Sequence, residues 1–542
     1  MADGRRRVYL ETFGCQMNEL DSELVTAQLR ALGYEFTLDW KSADVVLYNT
    51  CSVREQAEQK VYSRLGRVGQ RKSEKPQVVL GVIGCMAERD GVDMIRRYPQ
   101  VDLLCGPGEL DRLPMLIDNA MKTSAPAVAL QGDSSRRSST LSAAEDNLEL
   151  LDLSRSFDPA GRPDGGRSAY VRITRGCNKF CTYCVVPFTR GAEIHRPPDH
   201  LVEECRRLAD SGVVEITLLG QTVNHYRYEH DHAEFVNGVE QPQKGRSYRG
   251  GHSRDPFAGE QVTTFADLLY RIHEEVPAIK RLRFVTSYPR DFGDDVLQVM
   301  RDCPRICRYL HVPAQSGSNR ILSMMNRGYT VEQYREFIER VRQYLPDASI
   351  AGDIIVGFPT ETDDDFEATV ELLKWTRFKN CFIFKYSPRP GTTAFDRIPD
   401  DVPDEVKRAR NNRLLSIQGA ISREIHQAMV GRTVEVFVEG LSAKEAKAQA
   451  SRGSSNGAVG LTINGQSVIE TLVDDNQHAN GVGETVQLSG RTDGDLITVF
   501  DASAIEASRL IGSIVPVRIH ESATLTLFGR LVETPALQPA NV

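Results

Sequence analysis

Apolar and polar positions fall into three regimes along the chain. From Arg7 to about Met121, short apolar runs alternate with amphipathic stretches. Val8–Thr12, Asp44–Tyr48 and Val78–Ile83 read as strands, while Asp21–Leu32 and Arg54–Arg71 carry the helical period. Short apolar strands separated by helices predict a parallel sheet in an α/β domain. A second βα series runs from about Ala169 to Gln427, with strand candidates at Tyr170–Thr174, Glu215–Leu219, Arg281–Thr286, Tyr309–Val312, Ser349–Val356 and Asn380–Tyr386. Six βα units in succession predict a barrel or part of one. After Met429 the pattern turns β-rich, in Thr433–Val438, Leu496–Phe500, Ile514–Ile519 and Thr524–Phe528, and predicts a small β-barrel.

This pattern divides the chain into an N-terminal α/β domain at 5–122, a linker at 123–166, a barrel domain at 167–428 and a C-terminal β domain at 429–533. The linker is punctuated by Ser, Asp, Gly and Pro, as in Ser134–Ser139, and reads as a mobile crossover. Two stretches read as insertions. Tyr228–Val262 is polar and, with the adjacent His225, holds four of the 11 histidines (His225, His230, His232 and His252). Their irregular spacing favours a solvated loop over a metal site. Residues 444–483 are rich in Ala, Ser, Gly and Asn and read as a flexible excursion within the β domain.

Composition narrows the class. A chain of 542 residues, 40% hydrophobic and 26% charged, is a soluble globular protein with more than one core. No apolar run approaches the ~20 residues needed to span a bilayer. Arg5, Arg6 and Arg7 are followed by Glu11, Gly14 and Gln16 rather than by the apolar core of a signal peptide, so the expected location is the cytoplasm. A net charge of −8 argues against non-specific coating of nucleic acid and leaves RNA binding to a local basic patch.

Eleven cysteines in such a chain leave metal ligation or simple burial, not a disulfide framework. Cys177-Asn-Lys-Phe-Cys181-Thr-Tyr-Cys184 is a CxxxCxxC triplet. Three close thiolates fall one short of tetrahedral zinc, but they suit three irons of a cubane and leave the fourth iron open. An open iron chelates the amino and carboxylate groups of S-adenosylmethionine and passes an electron to its sulfonium. The triplet follows the first barrel strand, and the loops after barrel strands form the active-site face. Cys15, Cys51 and Cys85 are 36 and 34 residues apart, and locally they read equally well as buried thiols. Each nevertheless follows a strand candidate, so the three can meet at one sheet edge. Cys105, Cys205, Cys303, Cys307 and Cys381 carry no assigned chemistry.

The triplet after a first βα strand resembles the radical S-adenosylmethionine superfamily. Further segments narrow the resemblance: Glu11-Thr-Phe-Gly-Cys15-Gln-Met-Asn18, Asn49-Thr-Cys51-Ser-Val-Arg54, Gly84-Cys85-Met86, Arg190-Gly191, Ser287-Tyr-Pro289, His311-Val-Pro-Ala-Gln315-Ser-Gly317 and Ile355-Val-Gly-Phe-Pro-Thr-Glu361. Together they resemble the methylthiotransferases over nearly the whole chain apart from the linker and the insertions. The resemblance implies an α/β fold class: an N-terminal parallel-sheet domain, a partial (β/α)6 TIM-like barrel, and a C-terminal TRAM domain, a small OB-like β-barrel.

It also implies two 4Fe-4S clusters, one on Cys177, Cys181 and Cys184 and an auxiliary one on Cys15, Cys51 and Cys85. S-adenosylmethionine is expected against Tyr183, Gly220, Gln221, Ser287, Gln315, Ser316 and Gly357, and RNA phosphates against Arg432, Arg491 and Arg518. The implied reaction adds a methylthio group to carbon 2 of isopentenyl-adenosine at tRNA position 37. A deoxyadenosyl radical removes the hydrogen, and the auxiliary cluster supplies a methylated sulfur. The implied partners are tRNA, an electron donor such as flavodoxin or ferredoxin, and a sulfur donor, with no membrane and a monomeric enzyme. A methylthiotransferase acting on a ribosomal-protein aspartate shares the architecture, but Gln16-Met17-Asn18 and Cys51-Ser-Val-Arg54 favour isopentenyl-adenosine. The threonylcarbamoyl-adenosine enzyme is the closer rival, and the Phe13-Gly-Cys15-Gln and Arg190-Gly191 contexts speak against it. A non-catalytic iron–sulfur RNA-binding scaffold would have no use for an open iron.

Overall fold

A computed structural model of the protein describes residues 6–52, 55–123, 125–131, 147–155, 157, 162–230, 235–236, 239–240, 262–453, 461–463, 466–468 and 485–532. The first unit is a six-stranded parallel sheet. Its elements are β1 (Arg7–Phe13), α1 (Gln16–Ala31), β2 (Glu35–Phe36), β3 (Val45–Thr50), α2 (Glu55–Glu74), β4 (Val79–Gly84), α3 (Cys85–Arg97), β5 (Leu103–Cys105), α4 (Leu113–Thr123) and β6 (Ala127–Ala129). The strand order is β2-β1-β3-β4-β5-β6, with every neighbour parallel. β3 and β4 are buried along their whole length, as a sheet covered by helices on both faces requires. Val45, Leu47, Leu20 and Leu24 pack on one face, and Val46, Tyr48, Val61 and Leu65 on the other.

The expected linker holds β6 and a helix, α5 (Asn147–Leu153). Leu148 and Leu151 bury against the first sheet. Glu149 and Asp152 face buried arginines of the next unit: Arg172 lies 2.8 Å from Asp152, and Arg196 lies 2.7 Å from Glu149. The mobile-crossover reading is therefore corrected at 147–153. Averaging over the Ser- and Gly-rich segment conceals a short run whose apolar and acidic positions both have partners. Ser134–Ser139 lies outside the described residues.

The second unit comprises β7 (Ser168–Arg172), β8 (Thr174–Arg175), α6 (Val186–Thr189), β9 (Ile194–His195), α7 (Pro198–Asp210), β10 (Glu215–Leu219), β11 (Arg227–Glu229), the short strands β12 (Phe235–Val236) and β13 (Val239–Glu240), β14 (Val262–Thr264), α8 (Phe265–Glu275) and β15 (Arg281–Phe284). It continues with α9 (Asp294–Asp302), β16 (Tyr309–His311), α10 (Asn319–Met324), α11 (Val331–Tyr344), β17 (Ser349–Val356), α12 (Asp363–Thr376), β18 (Asn380–Lys385), α13 (Thr393–Arg397) and α14 (Asp404–Gln427). β7, β10 and β15 form one parallel sheet, and β16, β17 and β18 another. The two join where the Cys307 amide bonds the Leu282 carbonyl at 2.9 Å and the Ser287 amide bonds that of His311 at 3.1 Å. The result is the expected six-stranded partial barrel.

The polar insertion is anchored by β11 pairing antiparallel with β14. Residues 231–234, 237–238 and 241–261, including His232 and His252, lie outside the described residues.

The third unit is a closed five-stranded barrel of β19 (Thr433–Leu441), β22 (Thr485–Thr492), β23 (Ile497–Ser503), β24 (Ile514–Ser522) and β25 (Thr526–Leu531), with α16 (Ala504–Leu510) between β23 and β24. The second insertion begins not as a loop but as α15 (Ala443–Gly453), whose Ala, Lys and Glu residues are strong helix formers. The Ser442 hydroxyl accepts from the Glu445 amide at 3.1 Å. A hairpin of β20 (Leu461–Ile463) and β21 (Gln466–Val468) follows. Residues 454–460, 464–465 and 469–484 lie outside the described residues.

Candidate active site

In the first unit, the three wide-spaced cysteines stand at the ends of successive neighbouring strands. Cys15 precedes α1 after β1, Cys51 follows β3, and Cys85 opens α3 after β4. Beneath them lies a network of buried amides. Asn18 Nδ2 donates to Asn49 Oδ1 at 3.0 Å, and Asn49 Nδ2 donates to the Asn18 carbonyl at 2.8 Å and to Ser22 Oγ at 2.9 Å. Asn49 is thus a strand residue that locks two cysteine-bearing segments together, not the turn former its position suggests. Gly84 has φ +91°, and a Cβ there would stand 2.4 Å from Asn49 Oδ1 and 2.9 Å from the Thr50 carbonyl, so the close approach requires glycine.

The electrostatics treat the thiols of this edge differently. A hydrogen bond with Cys51 and the charge of Arg190 overcome burial and bring the Cys15 thiol down to about 6. Burial raises Cys85, opposed by Arg190. Arg190 comes from the second unit, one residue after α6, and its side chain is only 6% exposed. Its Nε donates to Cys85 Sγ at 3.2 Å, and its terminal nitrogen pairs with Asp21 of α1 at 2.8 Å.

Cys177, Cys181 and Cys184 occupy the loop between β8 and α6, and Arg190, just beyond α6, links this region to Cys85 of the first unit. Arg327, also buried, donates to Cys181 Sγ at 3.3 Å, with its guanidinium over the Tyr288 and Tyr329 rings at 4.7 and 5.3 Å. The Val186 amide points at Cys184 Sγ from 3.5 Å. Burial pushes Cys177 up to about 12 and raises Cys184. Cys105, Cys205, Cys303, Cys307 and Cys381 are buried elsewhere.

The other expected cofactor residues divide by surroundings. Gly220, Gln221, Ser287 and Gln315 stand at the C-terminal ends of β10, β15 and β16. Ser287 Oγ and Gln315 Oε1 are buried with no hydrogen-bond partner among the described residues. Thr286 and Gln315 hold φ of +68° and +69°, a conformation that costs a non-glycine residue energy. Two orphaned polar atoms beside strained backbone at one barrel mouth suit a polar ligand. Ser316 is fully buried and directs its hydroxyl to Thr369 of α12 at 3.4 Å. Gly357, with φ +68°, gives room to the Lys407 side chain, 2.3 Å from where a Cβ would sit. Tyr183 packs with Ile321, Met325 and Phe358.

Arg432 and Arg518 are exposed on the C-terminal barrel, whereas Arg491 turns inward to Glu439 and Asp495, 3.0 Å from each.

Sequence reasoning passed over several groups here. Phe382 and Phe384 on β18 are 48% and 44% exposed and stack with ring centroids 6.5 Å apart. Their alternation in Phe-Ile-Phe signals one shared face of the strand. Glu193, His195 and His225 converge near the cysteine loop. Glu193 accepts from the Thr222 hydroxyl at 2.8 Å and lies 2.7 Å from His225 Nδ1. His225 therefore does not belong with the insertion histidines. Burial lowers His195 to about 4. Burial alone would raise Glu193, but its hydrogen bond with His225 and the surrounding cations hold it below its usual range.

The model described as "Uncharacterized protein family UPF0004" matches residues 7–106, and that of the radical SAM superfamily matches residues 171–373. The chain is 41% identical over 526 residues to a tRNA-2-methylthio-N(6)-dimethylallyladenosine synthase of Rhodopirellula baltica, covering 97% of this chain and 95% of that one. The chain belongs to this synthase family. Members from Neisseria meningitidis serogroup B and Acetivibrio thermocellus are 40% and 37% identical, covering 84% and 98% of this chain and 93% and 92% of theirs. The family carries radical S-adenosylmethionine chemistry.

Proposed function

We propose that the protein adds a methylthio group to carbon 2 of isopentenyl-adenosine at tRNA position 37. The observation that carries this reading is the Arg190 contact, which ties the segment just after the CxxxCxxC loop and α6 to Cys85 on the first sheet. The donor sets fit iron–sulfur clusters: each has three thiols and one buried arginine donating to a sulfur, and among the described residues neither has a fourth thiol. Cys177, Cys181 and Cys184 would hold the cluster that binds S-adenosylmethionine, and Cys15, Cys51 and Cys85 the auxiliary one. When bound, these groups supply the electron, the radical chemistry and the sulfur.

The chain's own residues orient and shield. Arg190 and Arg327 balance thiolate charge in a buried setting, where unpaired charge is costly. Ser287 and Gln315 offer polar atoms to S-adenosylmethionine at the barrel mouth. Phe382 and Phe384 present stacked rings, the surface on which unstacked RNA bases dock. In this reading residues 5–122 carry the auxiliary centre, 167–428 the radical chemistry and 429–533 RNA contacts. The enzyme works in the cytoplasm as a monomer, with a flavodoxin- or ferredoxin-class reductant and a separate sulfur donor.

Anaerobic reconstitution should give about eight irons per chain. Replacing Cys177, Cys181 and Cys184 together by Ala should leave about half of that iron and abolish S-adenosylmethionine cleavage. Persistent cleavage by the triple variant would remove the reading, as would unchanged methylthio-adenosine in tRNA from cells lacking the protein.

A further inference from the structure

Two imidazoles and a carboxylate meet beside the cysteine loop: His195 on β9, His225 in the turn after β10, and Glu193, two residues before His195. One ligand atom from each lies within 4.8 Å of the others. Sequence separation hides this set, because β8 and β9 pair antiparallel and fold Glu193 and His195 back over the end of β10.

We propose that Glu193, His195 and His225 form a site for a divalent transition ion of the zinc class, distinct from both cysteine triplets. Nitrogen and carboxylate donors in a 2:1 set are characteristic of zinc with one position open to water. Outer partners that fix such ligands are present. The Thr222 hydroxyl donates to Glu193 Oε1 at 2.8 Å, and Thr174 Oγ1 lies 3.2 Å from His195 Nδ1, leaving Nε2 as the donor. Tetrahedral ligation at about 2.0–2.1 Å puts donors roughly 3.4 Å apart. The widest-spaced donors, within 4.8 Å, therefore close by up to about 1.4 Å while Glu193 and His225, 2.7 Å apart, open slightly, within the range of side-chain rotation. His225 keeps a 27% exposed side chain and lines a pocket with Asn224, Arg227, Asp291 and Asp295, which gives an ion a polar way in. Lys179 lies near and opposes a cation, but its own charge is met by Asp291.

The full-length protein, with both clusters reconstituted, is incubated with zinc and passed over a desalting column. Metal analysis should find one zinc per chain in addition to the iron. Zinc-edge X-ray absorption should show a shell of nitrogen and oxygen alone, since zinc in a vacated cluster site would show sulfur. His225→Ala should weaken zinc binding at least tenfold in a competition titration with a chelator, with iron content unchanged. His225→Asp, which restores a donor, should recover most of it. His195→Ala should behave as His225→Ala; should it lose iron through misfolding, the two variants at the partly exposed His225 decide alone. Three results each overturn the proposal: no zinc retained by the wild-type protein, a sulfur-containing shell, or equal retention by His225→Ala.

Discussion

Arg190 ends the turn after α6, yet its guanidinium reaches α1 and Cys85 of the other sheet. A charge-assisted hydrogen bond to a thiolate is worth about 1.5–3 kcal/mol, and it favours the more reduced, more negative state of whatever the sulfur ligates. Arg190→Ala should therefore lower the midpoint potential of the auxiliary centre by on the order of 50 mV, taking 59 mV per 1.4 kcal/mol for one electron. Methylthio product should fall with it while S-adenosylmethionine cleavage persists, and Arg190→Lys should restore part of the potential. A potentiometric titration followed by electron paramagnetic resonance reads the shift, and an unchanged potential would leave Arg190 as a packing residue only. The sequence made the cysteines legible because thiols are scarce and their spacing is constrained. It marked Arg190 only through the Arg190-Gly191 segment and did not reveal that Arg190 or Arg327 donates a hydrogen bond to a cysteine sulfur, since those contacts join residues remote in sequence.

At the scale of elements, periodicity located the strands that hold the site, because each is a short run with apolar residues bounded by polar turns. It failed where an element is short and its partners are remote. α5 has seven residues, and what orders it lies on β7, β9 and α1. Arg172 is 1% exposed and pairs with both Asp21 and Asp152. Burial alone would raise the Asp152 carboxyl, but Arg172, Arg196 and Arg175 outweigh it and hold it low. Asp152→Ala removes one of the two carboxylates facing Arg172 without removing the buried charge, which costs about 3–5 kcal/mol. The expected result is a lower unfolding temperature and faster protease cleavage near 147–155. A variant as resistant as the wild type would mean that Asp21 alone suffices for Arg172.

The whole molecule is held together by backbone as much as by side chains at the seam between the second and third units. Arg281 donates to the carbonyls of Arg491 and Glu435 at 2.7 and 2.8 Å, and Arg283 donates to the Thr492 carbonyl. Lys379 pairs with Asp495. Burial alone would raise Asp495, but Arg491, Lys379 and Arg283 bring it down to about 2. An unfolded aspartate titrates near 3.9, so this carboxylate contributes its full share above about pH 4 and loses it as pH falls toward 2. The share is about 2 kcal/mol. Asp495→Asn should remove that acid sensitivity and release the C-terminal barrel to proteolysis even at neutral pH. Acid release as steep in the variant as in the wild type would assign the sensitivity elsewhere.

The same seam decides how RNA binding is best tested. Deleting everything after Met429 would remove the carbonyls that accept from Arg281 and Arg283, both buried, leave two guanidiniums to Glu215 alone, and so damage the barrel that carries the cysteine loop. The exposed face of the C-terminal barrel allows a cleaner experiment. Arg518 stands directly across from Arg530, and across its other edge from Thr433, next to Arg432. All three arginines are exposed, and none has an ion-pair partner among the described residues. Like charges opposite each other on adjacent strands destabilise a sheet, and a polyanion is the ligand that reverses this. Arg491, tied to Glu439 and Asp495, is excluded from that face. Replacing Arg432, Arg518 and Arg530 together by Ala should weaken tRNA binding at least tenfold and reduce the slope of log affinity against log salt by roughly 2–3. Iron content and S-adenosylmethionine cleavage should stay as they are, because the seam is untouched. Replacing Arg491 alone should leave the salt slope unchanged. If the triple variant binds tRNA with wild-type affinity and slope, the first two units supply the phosphate contacts and the C-terminal barrel serves another purpose.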